Sequence, residues 1–197
     1  MIRSSLGYSI GIDAGSVATN GVLFRGELIK EIIIPTGWSP RKASEQVCKL
    51  LIEKGNIKRE EVKKIIVTGY GRVSIDFADK TVTEITCHAK GAYFLNNRVR
   101  TILDIGGQDS KIIRLDENGN VCDFFMNDKC AAGTGRFLQV MANLLGSDIN
   151  DLDKLAEEAE PEKISSMCTV FAESEIISLL AKGASKESIA AGIIESI

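Results

Sequence analysis

The sequence predicts an α/β protein made of two duplicated lobes, and three observations lead to this prediction. The first half reads as strands and helices in the order βββαβα. At Arg100 the strand pattern begins again, and each half opens with a strand that ends in an aspartate followed by a glycine turn. After Met126 only helix-like segments follow. We therefore expect the second lobe to be a copy of the first that is incomplete at the C-terminus.

The N-terminal lobe is predicted to span residues 1–98 and to begin with a three-stranded meander. Its β-rich segments are Tyr8–Asp13, Gly21–Phe24 and Leu28–Pro35, and glycine-bearing turns separate them. Adjacent short strands joined by turns pair most simply as antiparallel neighbours. The meander therefore places Asp13 at the end of the first strand, next to a tight turn.

A helix, a strand and a second helix are expected to complete this lobe. Ser39 is a suitable N-cap, Pro40 fits the first helical turn, and Gly55 ends the apolar repeat between them. The stretch VKKIIVTGYG then reads as a buried strand that runs into a glycine turn. The stretch TEITCHAKGAYFLNN reads as the second helix.

The second lobe is predicted to span residues 99–197 and to carry a helical insertion. The stretch TILDIGGQDSKIIRLDENGNVCDFFM contains three strand-like segments separated by a glycine turn and an Asn-Gly turn. Four helices are expected after it: Thr134–Leu145, Ile149–Glu158, Val170–Lys182 and Lys186–Ser196.

The two lobe openings superpose and suggest a phosphate site. Ile12–Ser16 matches Leu103–Gly107, so an aspartate and a glycine fall at equivalent positions. A tight turn exposes backbone N–H groups, glycine allows a phosphate to approach them, and a carboxylate holds Mg²⁺ through its water shell. One such turn is also what an ordinary hairpin shows. Its duplication, with polar side chains beside the glycines, favours nucleotide phosphates.

Two of the five cysteines stand where a thiolate is stabilised. Cys130 precedes a glycine turn that opens into a helix-like run, and Cys168 lies just before another helix. Helix N-termini stabilise negative charge, which favours metal-ligating thiolates. The alternative is that both are small buried apolar residues, and we expect this of Cys48, Cys87 and Cys122, which lie inside predicted helices and a strand.

Composition excludes several other classes of function. The net charge of −3 gives no support for a nucleic-acid surface or a polybasic membrane contact. No apolar run approaches the roughly 18 residues of a membrane span, and the N-terminus does not resemble a signal peptide. An odd number of widely spaced cysteines argues against a disulfide framework, so we expect a cytoplasmic protein. The single histidine excludes a multi-histidine metal site.

Several motifs carry a family resemblance. The stretches GIDAGSVATNGVLF and LDIGGQDSKII resemble the two phosphate motifs of the actin-like ATPase superfamily, which includes acetate and sugar kinases and has ribonuclease H-like lobes. More closely, VTGYGR, TEITCHAKGA, DIGGQDSK, NDKCAAGTGRFL and CTVFAESEIISLL resemble the ATPase activators of 2-hydroxyacyl-CoA dehydratases and the related ATPase subunits of benzoyl-CoA reductase. The resemblance runs from about Tyr8 to Ala181.

The resemblance implies an ATP-hydrolysing, iron–sulfur electron-transfer activator with defined cofactors and partners. Cys130 and Cys168 would ligate one [4Fe-4S] cluster shared by a homodimer, since such a cluster takes four cysteine sulfurs and a two-fold axis supplies two from each chain. The expected partners are a 2-hydroxyacyl-CoA dehydratase that receives a low-potential electron, and a reduced ferredoxin or flavodoxin that supplies it. No contact with nucleic acid or a membrane is expected.

The residues expected to bind MgATP or MgADP lie in the two turns. Asp13, Asp104 and Gln108 are predicted to be catalytic, with the aspartates ordering Mg²⁺ and the attacking water. For Lys111, a phosphate contact and an outward, solvated side chain are both open. The full set predicted to bind the nucleotide is Ile12, Asp13, Ala14, Gly15, Ser16, Gly106, Gly107, Gln108, Asp109 and Lys111.

Two other functions are compatible with parts of the pattern. A small-molecule kinase of the same fold explains both phosphate turns but leaves the positions of Cys130 and Cys168 unexplained. A non-catalytic, dimeric iron–sulfur module explains the cysteines but leaves the turns without a role. Iron content and ATP turnover distinguish the three functions.

Overall fold

The structure, a computed structural model, describes residues 7–165 and 168–197. The chain forms two compact units. One comprises residues up to Arg100 together with Arg114–Cys122, and the other comprises Thr101–Ile113 together with Asp123–Ile197. Each unit has its own hydrophobic core, one on a sheet and the other among helices.

The first unit contains a five-stranded sheet. Its strands are β1 (Tyr8–Ala14), β2 (Ala18–Phe24), β3 (Leu28–Pro35), β4 (Val62–Thr68) and β5 (Lys80–Thr81). They lie in the order β3-β2-β1-β4-β5. The first three are antiparallel, as the predicted meander requires, whereas β4 runs parallel to β1 and β5 runs parallel to β4. The two-residue strand β5 was not predicted, because it is too short to show an alternating pattern.

Two helices accompany this sheet, and local capping signals set where each begins. Helix α1 (Pro40–Lys54) starts where the Ser39 hydroxyl accepts a hydrogen bond from the N–H of Lys42. Helix α2 (Glu84–Leu95) is capped in the same way by Thr83. Both helices confirm the predicted segments. Short 3₁₀ turns at Arg59–Glu61 and Tyr70–Ser74 flank β4.

The core of the first unit lies between α1 and one face of the sheet. Its central side chains are Ile10, Ile12, Leu23, Val47, Leu51, Ile65 and Val67, all at most 2% exposed. Successive side chains of a strand point to opposite faces. The alternate residues of β1, β2 and β4, which include Asp13, therefore lie on the face away from α1.

A second sheet has three strands: β6 (Thr101–Ile105), β7 (Ser110–Leu115) and β8 (Val121–Asn127), in that order. The predicted Asn-Gly turn joins the last two, and Gly119 there has a φ of +70° that favours glycine. The Asp116 carboxylate accepts hydrogen bonds from the backbone and side chain of Asn120 and from the backbone of Asn118, which hold its pKa below the usual value.

The described residues after β8 form the four predicted helices. They are α3 (Gly135–Leu144), α4 (Leu152–Ala156), α5 (Thr169–Ala181) and α6 (Lys186–Glu195). Helix α4 is shorter than expected, because a 3₁₀ turn at Ile149–Asp151 takes the place of its first part. Buried side chains such as Phe137, Met141, Ile176 and Ile193 form a separate helical core. Within residues 7–165 and 168–197, no helix has both the length and the hydrophobicity needed to cross a membrane.

A glycine substitution tests the packing of α1 on the sheet. A Cβ atom at Gly21 of β2 would collide with Val47 and lie 3.0 Å from Cδ1 of Leu51. We expect Gly21→Ala to lower the free energy of unfolding by about 1–3 kcal/mol in urea denaturation, since the core must shift to admit a methyl group. Gly91 of α2 is the matched control, because nothing lies within 4 Å of its added Cβ. Gly91→Ala should leave stability unchanged or raise it by up to about 1 kcal/mol, and equal losses in both variants would contradict this packing.

Candidate functional site

The first glycine turn follows β1 and is held in place by Thr36, which lies directly after β3 and next to Thr19 of β2. The Thr36 hydroxyl donates to the carbonyl of Gly15 at 2.8 Å, and the Thr36 N–H donates to the carbonyl of Val17 at 2.9 Å. The Thr36 and Thr19 hydroxyl oxygens are 2.9 Å apart, and both residues are buried. The turn therefore has a fixed conformation beside Asp13.

Asp13 lies at the end of β1 between polar residues of two adjacent strands. It is paired in register with Asn20 of β2 and with Thr68 of β4. Gly69 lies directly after β4 and has a φ of +86°. A Cβ atom at this position would collide with the Asp13 carboxylate and lie 2.6 Å from the carbonyl oxygen of Ala14. A glycine at this position lets the backbone after β4 pass close to the aspartate.

The second glycine turn joins β6 to β7 and is closed by its own backbone. The N–H of Gly106 donates to the carbonyl of Asp109 at 2.8 Å. A Cβ atom at Gly106 would lie 2.6 Å from Oδ1 of Asp109, so a larger residue would open the turn. Gly107 and Gln108 form its tip.

Lys111 is buried and lies between two carboxylates of this turn. Its side chain is 3% exposed, and Nζ is 2.7 Å from Oδ1 of Asp109 and 3.2 Å from Oδ2 of Asp104. The alternative of an outward, solvated lysine is therefore wrong. Burial of an ammonium group is costly unless carboxylates pair with it, and here two do so. A contact between Lys111 and phosphate stays a prediction.

Helix α3 begins directly on the second turn. The N–H of Gly135 donates to the carbonyl of Gly106 at 2.9 Å, and the N–H of Arg136 donates to the carbonyl of Gly107 at 2.8 Å. The first N–H groups of a helix have no partner inside it. The turn carbonyls satisfy two of them, which joins the turn to the start of the helix.

The loop that carries Cys130 precedes α3 and is organised by one side-chain amide. The carboxamide oxygen of Asn127 accepts from the N–H of Cys130 at 3.1 Å, and its NH₂ group donates to the carbonyls of Cys130 at 2.9 Å and Ala132 at 3.2 Å. At the other end, the buried Thr134 hydroxyl donates to the carbonyl of Ala131 at 2.6 Å. The backbone around Cys130 is therefore well defined.

The exposure of the thiols tests what the sequence predicts for each cysteine. Cys130 and Cys168 are both exposed, and Cys168 is the N-cap residue of α5, so their interpretation as buried apolar residues is wrong. Cys48 is buried, and this burial raises the pKa of its thiol, with partial opposition from Arg59. Cys87, also expected to be buried, is half-buried, and Cys122 was expected to be buried but is exposed, as are most side chains of β8.

No single group of residues in the described part of the chain is a complete metal site. Among residues 7–165 and 168–197, no three or more His, Cys, Asp or Glu side chains come together as metal ligands. Metal ligation by Cys130 and Cys168 stays a prediction.

Sequence reasoning missed three residues that position the site. Asn127 shows a recognisable signal, since an asparagine whose side-chain oxygen accepts from a backbone N–H further along the chain is a common turn motif. Thr36 and Thr68 show no local signal. Their positions depend on strand pairing between segments that are distant in the sequence.

Comparisons with known proteins find close relatives of this chain. The chain is 50% identical over 193 residues to an uncharacterized protein, YjiL, of Escherichia coli strain K12, with 98% of this chain and 74% of that protein aligned. It is 46% identical to a 2-hydroxyisocaproyl-CoA dehydratase activator of Clostridioides difficile, over 96% of this chain and 72% of the relative. It is 45% identical to an (R)-2-hydroxyglutaryl-CoA dehydratase activating ATPase of Acidaminococcus fermentans, with 96% of this chain and 74% of that protein aligned.

A solved structure and a family profile also match this chain. The structure of the activator of 2-hydroxyisocaproyl-CoA dehydratase from Clostridium difficile with bound ADPNP matches with a TM-score of 0.88 and 45% identity, covering 96% of this chain and 71% of that one. The predicted actin-like ATPase fold is thereby confirmed. The profile of the BadF/BadG/BcrA/BcrD ATPase family matches residues 10–197. This chain belongs to that ATPase family.

Proposed function

We propose that this chain is an ATP-hydrolysing activator that delivers a low-potential electron to a 2-hydroxyacyl-CoA dehydratase. The observation that carries this proposal is the pair of hydrogen bonds from Gly135 and Arg136 to the carbonyls of Gly106 and Gly107. They join a phosphate-type turn to the helix that follows Cys130. A kinase of the same fold needs the turn but has no use for an exposed thiol attached to it.

The two glycine turns are proposed to bind the phosphates of MgATP. In the first unit, Asp13 presents a carboxylate beside a turn that Thr36 fixes. In the second, Asp104 presents one beside the Gly106–Asp109 turn, and Lys111 neutralises part of the local negative charge. Carboxylates hold Mg²⁺ through its water shell, and backbone N–H groups suit phosphate oxygens. Asp13, Asp104 and Gln108 would orient the attacking water.

Cys130 and Cys168 fit the ligand set of an iron–sulfur cluster. Both are exposed, and Cys168 is the N-cap residue of α5. Two sulfurs per chain are half of what a [4Fe-4S] cluster takes, so we propose that two copies of the chain share it. When bound, such a cluster supplies one-electron transfer, with a potential that depends on its hydrogen bonds and solvent exposure. A reduced ferredoxin or flavodoxin is the proposed electron donor.

The residues between the nucleotide turn and Cys130 provide the coupling. A displacement of Gly106 and Gly107 on phosphate binding or release must move the first turn of α3, because two of its N–H groups are bonded to these residues. Thr134 and Asn127 then hold the loop in one conformation through hydrogen bonds to its carbonyls. The position of the Cys130 thiol therefore responds to the state of the nucleotide.

The first prediction from the proposed function concerns the carboxylates. We expect Asp13→Asn and Asp104→Asn to reduce Mg²⁺-dependent ATP turnover by on the order of a hundredfold or more, since each removes a charge that stabilises the bound cation. Asp153→Asn is the matched control, because Asp153 is exposed on α4, away from both turns in the sequence. Thermal unfolding of every variant should stay cooperative. ATP turnover at the wild-type rate in Asp13→Asn would contradict the assignment.

The second prediction concerns the thiols. Anaerobically purified Cys130→Ser and Cys168→Ser proteins should lose their iron and their visible absorption, and they should dimerise more weakly, because the cluster links the two chains. Cys122→Ser serves as the control, since Cys122 is also an exposed free thiol. Iron counting and analytical ultracentrifugation provide the readout. If Cys168→Ser kept about four irons per dimer, the shared-cluster assignment would fail.

The third prediction concerns the amide that shapes the cysteine loop. Asn127→Ala removes three hydrogen bonds to the loop, so Cys130 should occupy several positions. We expect faster loss of iron in air and a broadened electron paramagnetic resonance spectrum of the reduced protein, while ATP turnover stays within about twofold. Asn143→Ala on α3 is the control, because Asn143 is exposed and bonds to the Gln139 side chain. An unchanged spectrum and air stability would show that Asn127 does not position the thiol.

A further inference from the structure

Lys111 lies on the buried face of β7, where an apolar residue is expected. The side chains of Lys111, Ile113 and Leu115 are all buried, whereas those of Ile112 and Arg114 between them are exposed. An ammonium group in such a row costs stability unless carboxylates compensate it, and a methionine of similar length carries no such cost. Packing alone therefore does not explain the charge at this position.

The two carboxylates that compensate this ammonium group are more exposed than it is. The side chains of Asp104 and Asp109 are 18% and 28% exposed, against 3% for Lys111. The ammonium group therefore lies on the inner side of the cluster, and the carboxylates lie on its solvent side. A ligand that approaches from solvent meets the carboxylates first, while the charge of the lysine acts on it from behind them.

The two ion pairs of Lys111 are not equivalent. Its Nζ lies 2.7 Å from Oδ1 of Asp109 and 3.2 Å from Oδ2 of Asp104. The same Oδ1 of Asp109 would lie 2.6 Å from a Cβ atom at Gly106, so this side chain is folded back over its own turn. Asp109 and Lys111 thus form the closer pair, whose charges cancel. The net negative charge of the cluster remains on Asp104.

We propose that the Lys111–Asp109 pair sets the charge of the second turn and thereby makes binding of Mg²⁺ there dependent on the nucleotide phosphates. The proposal rests on the function proposed above, in which Asp104 binds the cation through water. The affinity of carboxylates for a divalent cation depends on how much charge they carry together. With the pair intact, a single net charge remains, which binds Mg²⁺ weakly until phosphates add theirs. Lys111 and Asp109 are positioning residues in this proposal, because they act through Asp104 and contact neither the cation nor the phosphates.

The experiment compares Lys111→Met, Asp109→Asn and the double variant. Lys111→Met leaves the cluster with two negative charges, Asp109→Asn leaves it neutral, and the double variant restores the wild-type balance. Mn²⁺ is the cation probe, because carboxylates bind it as they bind Mg²⁺, and electron paramagnetic resonance reports how much of it is free. Calorimetry with ADP in the presence of EDTA measures binding of the phosphates without a cation.

The two single variants should shift the affinities in opposite directions. We expect Lys111→Met to bind Mn²⁺ about tenfold more tightly than the wild type and metal-free ADP about tenfold more weakly, since one charge a few ångströms away is worth about this factor even in a high dielectric. Asp109→Asn should bind metal-free ADP about tenfold more tightly and Mn²⁺ no better than the wild type. The double variant should stay within about threefold of the wild type for both ligands.

An exposed ion pair in the same unit provides the matched control. Lys154→Met also removes a lysine that pairs with an aspartate, but the Lys154–Asp151 pair lies on the surface. Both affinities should stay within about twofold of the wild type. The double variant should be at least as stable as Lys111→Met, because it leaves fewer unpaired charges in the cluster. If Lys111→Met does not fold, Asp109→Asn decides the question, and unchanged or weaker binding of metal-free ADP would overturn the inference.

Two further outcomes would overturn it. A turn that is merely damaged in Lys111→Met would bind both ligands more weakly, whereas the proposed role requires opposite shifts. A direct contact between Lys111 and a phosphate would leave the double variant as weak for ADP as Lys111→Met. In either case, wild-type binding of ADP with Mg²⁺ and its loss in Asp104→Asn would preserve the proposed function. If the wild type does not bind ADP with Mg²⁺, the proposed function itself fails.

Discussion

The two hydrogen bonds between the second glycine turn and the start of α3 are the constraint on which the site in the second unit depends. The carbonyls of Gly106 and Gly107 take the place of a side-chain cap for the N–H groups of Gly135 and Arg136. The N-cap residue Thr134 makes no capping bond with its own side chain, which instead binds the loop before it. The helix start thus depends on the turn, and the loop depends on the helix start.

This arrangement explains why small residues recur around the turn. Gly106 has no room for a Cβ atom, because the Asp109 side chain lies 2.6 Å from where it would be. An ideal Cβ at Gly135 would lie 3.4 Å from Cα of Gly107, at the limit of ordinary contact. The close approach brings backbone groups within hydrogen-bond distance without any side chain in between. The second glycine turn and the loop that carries Cys130 are thereby joined through the start of α3.

Local signals in the sequence were sufficient for most of the fold but not for the pairing of side chains. The ends of α1 were predicted from Ser39, Pro40 and Gly55, because capping depends only on near neighbours in the sequence. Strand β5 escaped prediction, since a two-residue segment is held by β4 rather than by its own pattern. The burial of Lys111 could not be predicted from its neighbours in the sequence either. The alternating pattern of β7 does not reveal that two carboxylates of the turn pair with its ammonium group.

If the second turn binds MgATP as proposed, the charge balance of the turn gives the divalent cation a role there. Lys111 offsets one of the two carboxylates with which it pairs, so Asp104, Asp109 and Lys111 together carry a net charge of −1. An ATP phosphate chain brought to such a turn alone meets a negative group, and the backbone N–H groups must then overcome that repulsion. A cation with two positive charges reverses the balance, because it attracts both the carboxylate and the phosphate oxygens. In the proposed function, Lys111 would limit the negative charge of the turn, so that binding of Mg²⁺ and binding of the phosphates would depend on each other.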